Sequence, residues 1–123
     1  MSIRTADICM KKINGNEYQF INNFRGNYSG FVHETTLFRN GKYIGKHKIQ
    51  YYNRTWEVYT YQTVMKRLVR TLMENFMEEF IANWKDTHSI KRLTKQKKEI
   101  MMEDFQNNTP EEYAELEELY NML

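Results

Sequence analysis

Near residue 50 the spacing of the apolar side chains changes. Before it they recur at every second position, and from Tyr61 onward they recur every three or four. Alternation puts one face of a strand against a core, whereas the 3.6 period does the same for a helix, so the chain must go from sheet to helix here. The changeover, residues 46–62, holds four of the nine tyrosines, Trp56, Arg54 and Glu57. It is read as the joint that seals a sheet onto a helix, in preference to a recognition surface.

On the strand side, two Asn-Gly dipeptides set the pairing. A type I′ turn needs φ > 0 at both central residues, which Asn tolerates and Gly permits. Asn14-Gly15 predicts a hairpin over 8–24 that sets Ile13 against Asn16, Lys12 against Glu17, Cys9 against Phe20 and Ile8 against Ile21. The Asn- and Gly-rich 22–30 segment is expected to be a connection. Asn40-Gly41 predicts a second hairpin between 31–39 and 42–52. It pairs Phe38 with Tyr43, Leu37 with Ile44, Glu34 with His47 and Val32 with Ile49, with Arg39 against Lys42 as the one unfavourable pair. In that register His33 and His47 point to opposite faces, which argues against a shared metal site.

On the helix side, Val64, Met65, Leu68, Val69, Leu72, Met73, Phe76, Met77, Phe80, Ile81 and Trp84 form a stripe over 60–85, with Thr60 as N-cap. At about 37 Å such a helix crosses a sheet and projects beyond it, leaving apolar surface for a further helix or a homodimer partner. Met65, Met73 and Met77 are read as core filler, with an adaptable groove as the alternative. A second helix is expected over 89–106, capped by Ser89. A third spans 110–122, with Thr109 as N-cap, Pro110 at the first helical position and Glu112 completing a capping box. The last helix is expected to hold Leu116, Leu119 and Tyr120 on one side and Glu111, Glu115 and Glu118 on the solvent side. These elements predict a single α+β domain over 1–123: an antiparallel meander of about four strands packed by one long helix, followed by two shorter helices. With 41% hydrophobic and 15% aromatic residues and one proline, the chain has the large side chains for a packed core.

Charge is segregated. Eighteen bases and eight acids lie at or before Lys98, giving +10, and the eight acids beyond it have no base among them, giving −8. The basic set, Arg54, Lys66, Arg67, Arg70, Lys91, Arg92, Lys95, Lys97 and Lys98, together with Lys46 and Lys48, suits a nucleic-acid backbone or a protein partner. The acids Glu111, Glu115 and Glu118 suit a basic partner surface, or imitate nucleic acid before a basic cleft. The competing reading is that the acidic tail folds back on the basic helix and neutralises it.

No catalytic residues, metal ligands or cofactor are assigned. There is no Gly-rich phosphate loop, no His-Glu-x-x-His, no paired Cys and no Gly-x-Ser-x-Gly. Catalysis would need Glu34, His47, Glu57 and His88 to converge in the fold. The single cysteine, Cys9, is expected to be buried, and no apolar run is long enough for a membrane span.

The segment Tyr51-Tyr52-Asn53-Arg54-Thr55-Trp56-Glu57-Val58-Tyr59-Thr60-Tyr61-Gln62 resembles one found in small accessory proteins of phages and mobile elements of Gram-positive bacteria, which carry a similar Tyr-Asn-Arg-Thr-Trp-Glu-x-Tyr motif between a hairpin and a long helix. The resemblance covers roughly residues 30–85. It implies a counter-defence setting in the bacterial cytoplasm, including anti-CRISPR proteins that bind a Cas9-type nuclease or its guide-RNA complex. It supplies no functional residues to carry over. The expectation is a non-enzymatic inhibitor of a nucleic-acid-processing effector, with a small nucleic-acid-binding accessory protein as the alternative.

Overall fold

A computed structural model describes residues 3–27, 30–52 and 61–123. Four strands, β1 (Ile3–Ile13), β2 (Asn16–Asn27), β3 (Gly30–Arg39) and β4 (Lys42–Tyr52), form one antiparallel sheet in the order β1-β2-β3-β4. Three helices follow: α1 (Tyr61–Thr87), α2 (Lys95–Asn107) and α3 (Glu111–Met122). The protein is an α+β meander with α1 packed on the sheet. Arg54, Trp56, Tyr59 and the expected Thr60 cap lie outside the described residues.

Both Asn-Gly turns take the conformation that their chemistry demands, with φ of 53° and 79° at Asn14 and Gly15, and 50° and 80° at Asn40 and Gly41. The β1–β2 register is the expected one throughout, Lys12 opposite Glu17 and Cys9 opposite Phe20. The Asn-rich segment differs from expectation. Instead of forming a connection, Asn22 and Asn23 continue β2, opposite Thr35 and Glu34. Pairing on both sides of a central strand outweighs the weak strand propensity of Asn.

The second hairpin starts in the expected register, Arg39 opposite Lys42 and Phe38 opposite Tyr43, and then slips at a bulge between Leu37 and Phe38. Leu37 faces Gly45, so Ile44 is the extra residue, and from there Glu34 faces Lys48 and Val32 faces Gln50. A one-residue slip exchanges faces. His47 therefore lies opposite Thr35, on the same face as His33, which corrects the expectation that the two point apart. The bulge turns Ile44 onto the core and brings Gly45 beneath α1. A Cβ at Gly45 would sit 3.0 Å from Leu72 Cδ2, so a side chain there would crowd the leucines of the helix.

The core lies between the inner sheet face and the helices. Tyr18, Phe20 and Leu37 from the strands meet Met65, Leu68 and Val69 of α1 and Leu116 and Leu119 of α3, with Ile13 at the turn end. Beyond the sheet, α1 turns the same stripe toward α2: the rings of Phe80 and Phe105 pack edge to face at 4.9 Å, and Trp84 Nε1 donates to Asp104 Oδ2 at 2.8 Å. A left-handed Ser89 (φ 53°) ends α1, with Ile90 N bonded to Lys85 O and Ser89 N to Asp86 O. That conformation removes Ser89 as the cap of α2, which begins at Lys95 with Thr94 Oγ1 accepting from Lys97 N. The expected capping box of α3 is also not made. Pro110 stands at the N-cap, and the Thr109 hydroxyl donates backwards to Phe105 O at 2.8 Å, closing the end of α2.

Candidate interaction surfaces

Glu115 is fully buried, on the core side of α3 and not on the solvent side where it was expected. Its carboxylate receives the Tyr18 hydroxyl at 2.7 Å, Asn16 Nδ2 at 3.0 Å, and Arg39 through Nε at 3.2 Å and Nη2 at 3.3 Å. Arg39 Nε also donates to the Tyr18 hydroxyl at 3.1 Å. Asn40 Nδ2 donates to Asn16 Oδ1, and Asn40 exchanges bonds with the Glu17 backbone, so both hairpin turns join the cluster. Burial pushes the Glu115 carboxyl up, but the bonds from Arg39 and Tyr18 outweigh it and its pKa lies below the ordinary carboxylate value. Burial and the adjacent carboxylate push the Tyr18 phenol far up. This is a structural knot that ties α3 to β2 and β3. A helical-wheel signal for it exists, because Glu115 stands four residues before Leu119 and next to Leu116, inside the apolar stripe.

The acidic tail therefore does fold back, but onto Arg39, which also approaches Glu112 at 3.8 Å. Among the described residues no ion pair joins it to Lys91, Arg92, Lys95, Lys97 or Lys98. Glu111 and Glu118 are exposed.

The basic residues do not gather into one patch. Lys66 and Arg70 flank Tyr120 of α3, with Lys66 Nζ 5.6 Å from the ring centroid and Arg70 Nη2 donating to the hydroxyl at 3.0 Å. Arg67 sits near enough to His47 to add to the burial that depresses that imidazole's pKa. Lys91 and Arg92 lie in the α1–α2 connection and Lys95, Lys97 and Lys98 in the first turn of α2, all exposed. The helical rise from 70 to 87 alone separates the two groups by about 25 Å. Arg54 lies outside the described residues. Glu34 on the outer sheet face, His47 on the inner face and His88 past the far end of α1 do not converge, and Glu57 is also outside the described residues. Among the described residues no group of three or more His, Cys, Asp or Glu is arranged to hold a metal ion.

Two further surfaces emerge, the second of which the sequence offered only as the alternative to core filling by Met73 and Met77. The first is the outer sheet face, which no described helix covers. Across it run the rows Ile8–Ile21–Thr36–Lys46 and Met10–Gln19–Phe38–Tyr43. Ile8, Met10 and Tyr43 are 59%, 51% and 53% exposed, and the Phe38 and Tyr43 rings meet edge to face at 6.2 Å. Lys12, Arg25, Lys46 and Lys48 are exposed around these rows. Two of these bases are paired across the sheet, Lys12 with Glu17 and Lys48 with Glu34, and solvated faces of antiparallel sheets are ordinarily polar, so the apolar and aromatic band between them is a departure. The second is a groove of about 410 Å³ between α1 and α3, floored by Met73, Met77, Ile81 and Tyr113.

On the inner face, near the start of α1, a buried polar row stands apart from the knot. Asn22, Thr35 and His33 are buried, and Asn22 Oδ1, Thr35 Oγ1 and His33 Nδ1 have no hydrogen-bond partner among the described residues. Asn22 Nδ2 reaches Met65 Sδ at 3.5 Å, and the His33 ring lies among Phe24, Phe31 and Tyr61. Burial holds the His33 pKa below its ordinary value. Cys9 is half-buried at the core edge. No helix among the described residues is long and apolar enough to cross a membrane. Comparison with family models, curated proteins and solved structures finds no match for this chain.

Proposed function

We propose that this protein is a non-catalytic binding protein that occupies a surface of a nucleic-acid-processing effector, docking through the outer face of its sheet. The observation that supports the reading is the band of Ile8, Met10, Phe38 and Tyr43, which no described helix covers, bordered by Lys12, Lys46 and Lys48 with Glu17 and Glu34 opposite the first and last of these. Aromatic and Met side chains at the centre with charged residues at the rim is the composition of a protein interface. A Cas9-type nuclease in its guide-RNA complex is the partner class that the Tyr51–Gln62 resemblance suggests, and a bacterial cytoplasm is the corresponding setting. In this reading the basic rim faces the phosphate-rich part of the complex, and the buried Glu115 takes no part.

Co-purification with a Cas9-type nuclease, with and without guide RNA, tests the proposal alongside a DNA-cleavage assay. Binding and inhibition are expected from the unaltered chain, and a Met10→Glu/Tyr43→Glu variant should lose about tenfold or more in affinity, because it places charge in the centre of the contact. Retention of full inhibition by a folded double variant overturns the sheet-face assignment.

A second reading, a nucleic-acid-binding accessory protein, is favoured by the Phe38–Tyr43 ring pair beside Lys46, since exposed aromatics stack on bases while lysines follow phosphates. A mobility-shift series on naked single-stranded DNA and RNA separates the two. Affinity that falls steeply with added salt supports this reading. If neither assay shows binding, both readings fail.

A further inference from the structure

The sheet face leaves the α1–α3 groove without a role. Along α1, Met73, Met77 and Ile81 stand four residues apart, a ladder on one face of the helix, and Tyr113 of α3 forms the opposite wall. The three α1 side chains are half-buried, so the floor remains open to a visitor. Both rims are acidic. Glu74 and Glu78 line the α1 side in successive turns and are exposed. On the α3 side the exposed Glu117 lies close enough to Tyr113 that its charge adds to the effect of burial on the phenol. Arg70 is the one base in the lining, at the sheet end, and its guanidinium is already bonded to the Tyr120 hydroxyl.

We propose that this groove seats one amphipathic, cationic helix of a partner protein, with its apolar stripe on Met73, Met77 and Ile81 and its Lys or Arg residues against Glu74, Glu78 and Glu117. Unbranched, polarisable Met side chains adapt to differing apolar stripes, and acidic rims select for cations, which together define helix-in-groove recognition. The floor from 73 to 81 rises about 12 Å, enough for two turns of a bound helix. The charge also selects among occupants. A twofold pairing of two copies through this face would set the same acidic rims against each other. The site is independent of the sheet face and stands whichever ligand that face takes.

The test uses the full chain and a labelled synthetic helix with Leu at i, i+3, i+4 and i+7 and Lys elsewhere, followed by fluorescence anisotropy. Controls are a scrambled Leu/Lys peptide and a Leu/Glu helix of the same pattern. The Leu/Lys helix is expected to bind about tenfold or more tightly than either control, and Glu74→Lys/Glu78→Lys should reverse the preference toward the Leu/Glu helix. Both positions are exposed, so the variant keeps its fold, and circular dichroism checks this. Equal binding of the scrambled peptide, or an unchanged preference in the folded double variant, overturns the proposal. Sedimentation that shows a dimer dissociated by Met77→Glu also overturns it, in favour of a second copy as occupant.

Discussion

Two buried polar clusters share the inner face of one sheet and are built differently. At the turn end, every partner around Glu115 is supplied: the carboxylate accepts four hydrogen bonds from three residues, and each hairpin turn contributes. Near the start of α1, Asn22, Thr35 and His33 are all buried, while Arg39 in the first cluster is half-buried, yet three polar atoms of this row have no partner among the described residues. A satisfied network inside a low-dielectric core fixes geometry, whereas an unsatisfied one subtracts from stability without specifying anything. The first cluster decides where α3 goes. The second has fewer bonds to hold it among the described residues.

The sharpest way to break the contrast is to remove the carboxylate. Glu115→Ala leaves the buried Tyr18 hydroxyl and the half-buried Arg39 without their acceptor and is expected to cost about 2–3 kcal/mol in urea or guanidinium unfolding. A cost under about 1 kcal/mol would mean that the knot is an ordinary surface pair. The pH dependence comes next. Burial depresses the His33 pKa, so the unfolded chain takes up its proton first; stability is full above about pH 6.5 and falls as pH drops below it, by up to about 1.4 kcal/mol per unit for each such proton. The Glu115 contribution has the same direction but a lower window, present above the ordinary carboxyl value of 4.5 and lost below it. Urea midpoints from pH 7 to 4 should therefore fall in two stages, and His33→Phe should reduce the first stage alone. The smallest effect has the opposite sign. Thr35→Val keeps the shape and removes a hydroxyl that has no partner among the described residues, so it should be neutral or stabilising by up to about 1 kcal/mol. A loss of stability there would reveal a partner for Oγ1.

The same contrast explains what could be read from the sequence. Turn chemistry is local, so Asn14-Gly15 and Asn40-Gly41 announced both hairpins, and the first register followed residue by residue. The bulge at Ile44 was not legible, because the turn dipeptide sets only the first pairs of the hairpin, and Gly45 meets its neighbours Leu68 and Leu72 more than twenty residues downstream. The slip then moved His47 to the face of His33 and reversed the expectation built on the register. Glu115 was assigned to solvent because a Glu among Glu residues looks like a solvated face, while Arg39 looked like a misplaced charge opposite Lys42. Each of the two explains the other, across 76 residues. The outer-face band was hidden because Ile8, Met10 and Tyr43 read as ordinary strand residues until the described helices all proved to lie on the other side.

The Tyr18–Glu115 bond also has a consequence for the order in which the chain assembles. Each strand pairs with its neighbour in sequence, so the meander forms through short loop closures that cost little entropy and proceed quickly. The knot closes a span of 97 residues. During synthesis the sheet and α1 can therefore come together while α3 is still being made, with Tyr18 and Arg39 open to water. Docking of α3 is then the late step that completes the core, and a probe of nascent-chain compaction should register it as a separate event, after the hairpins.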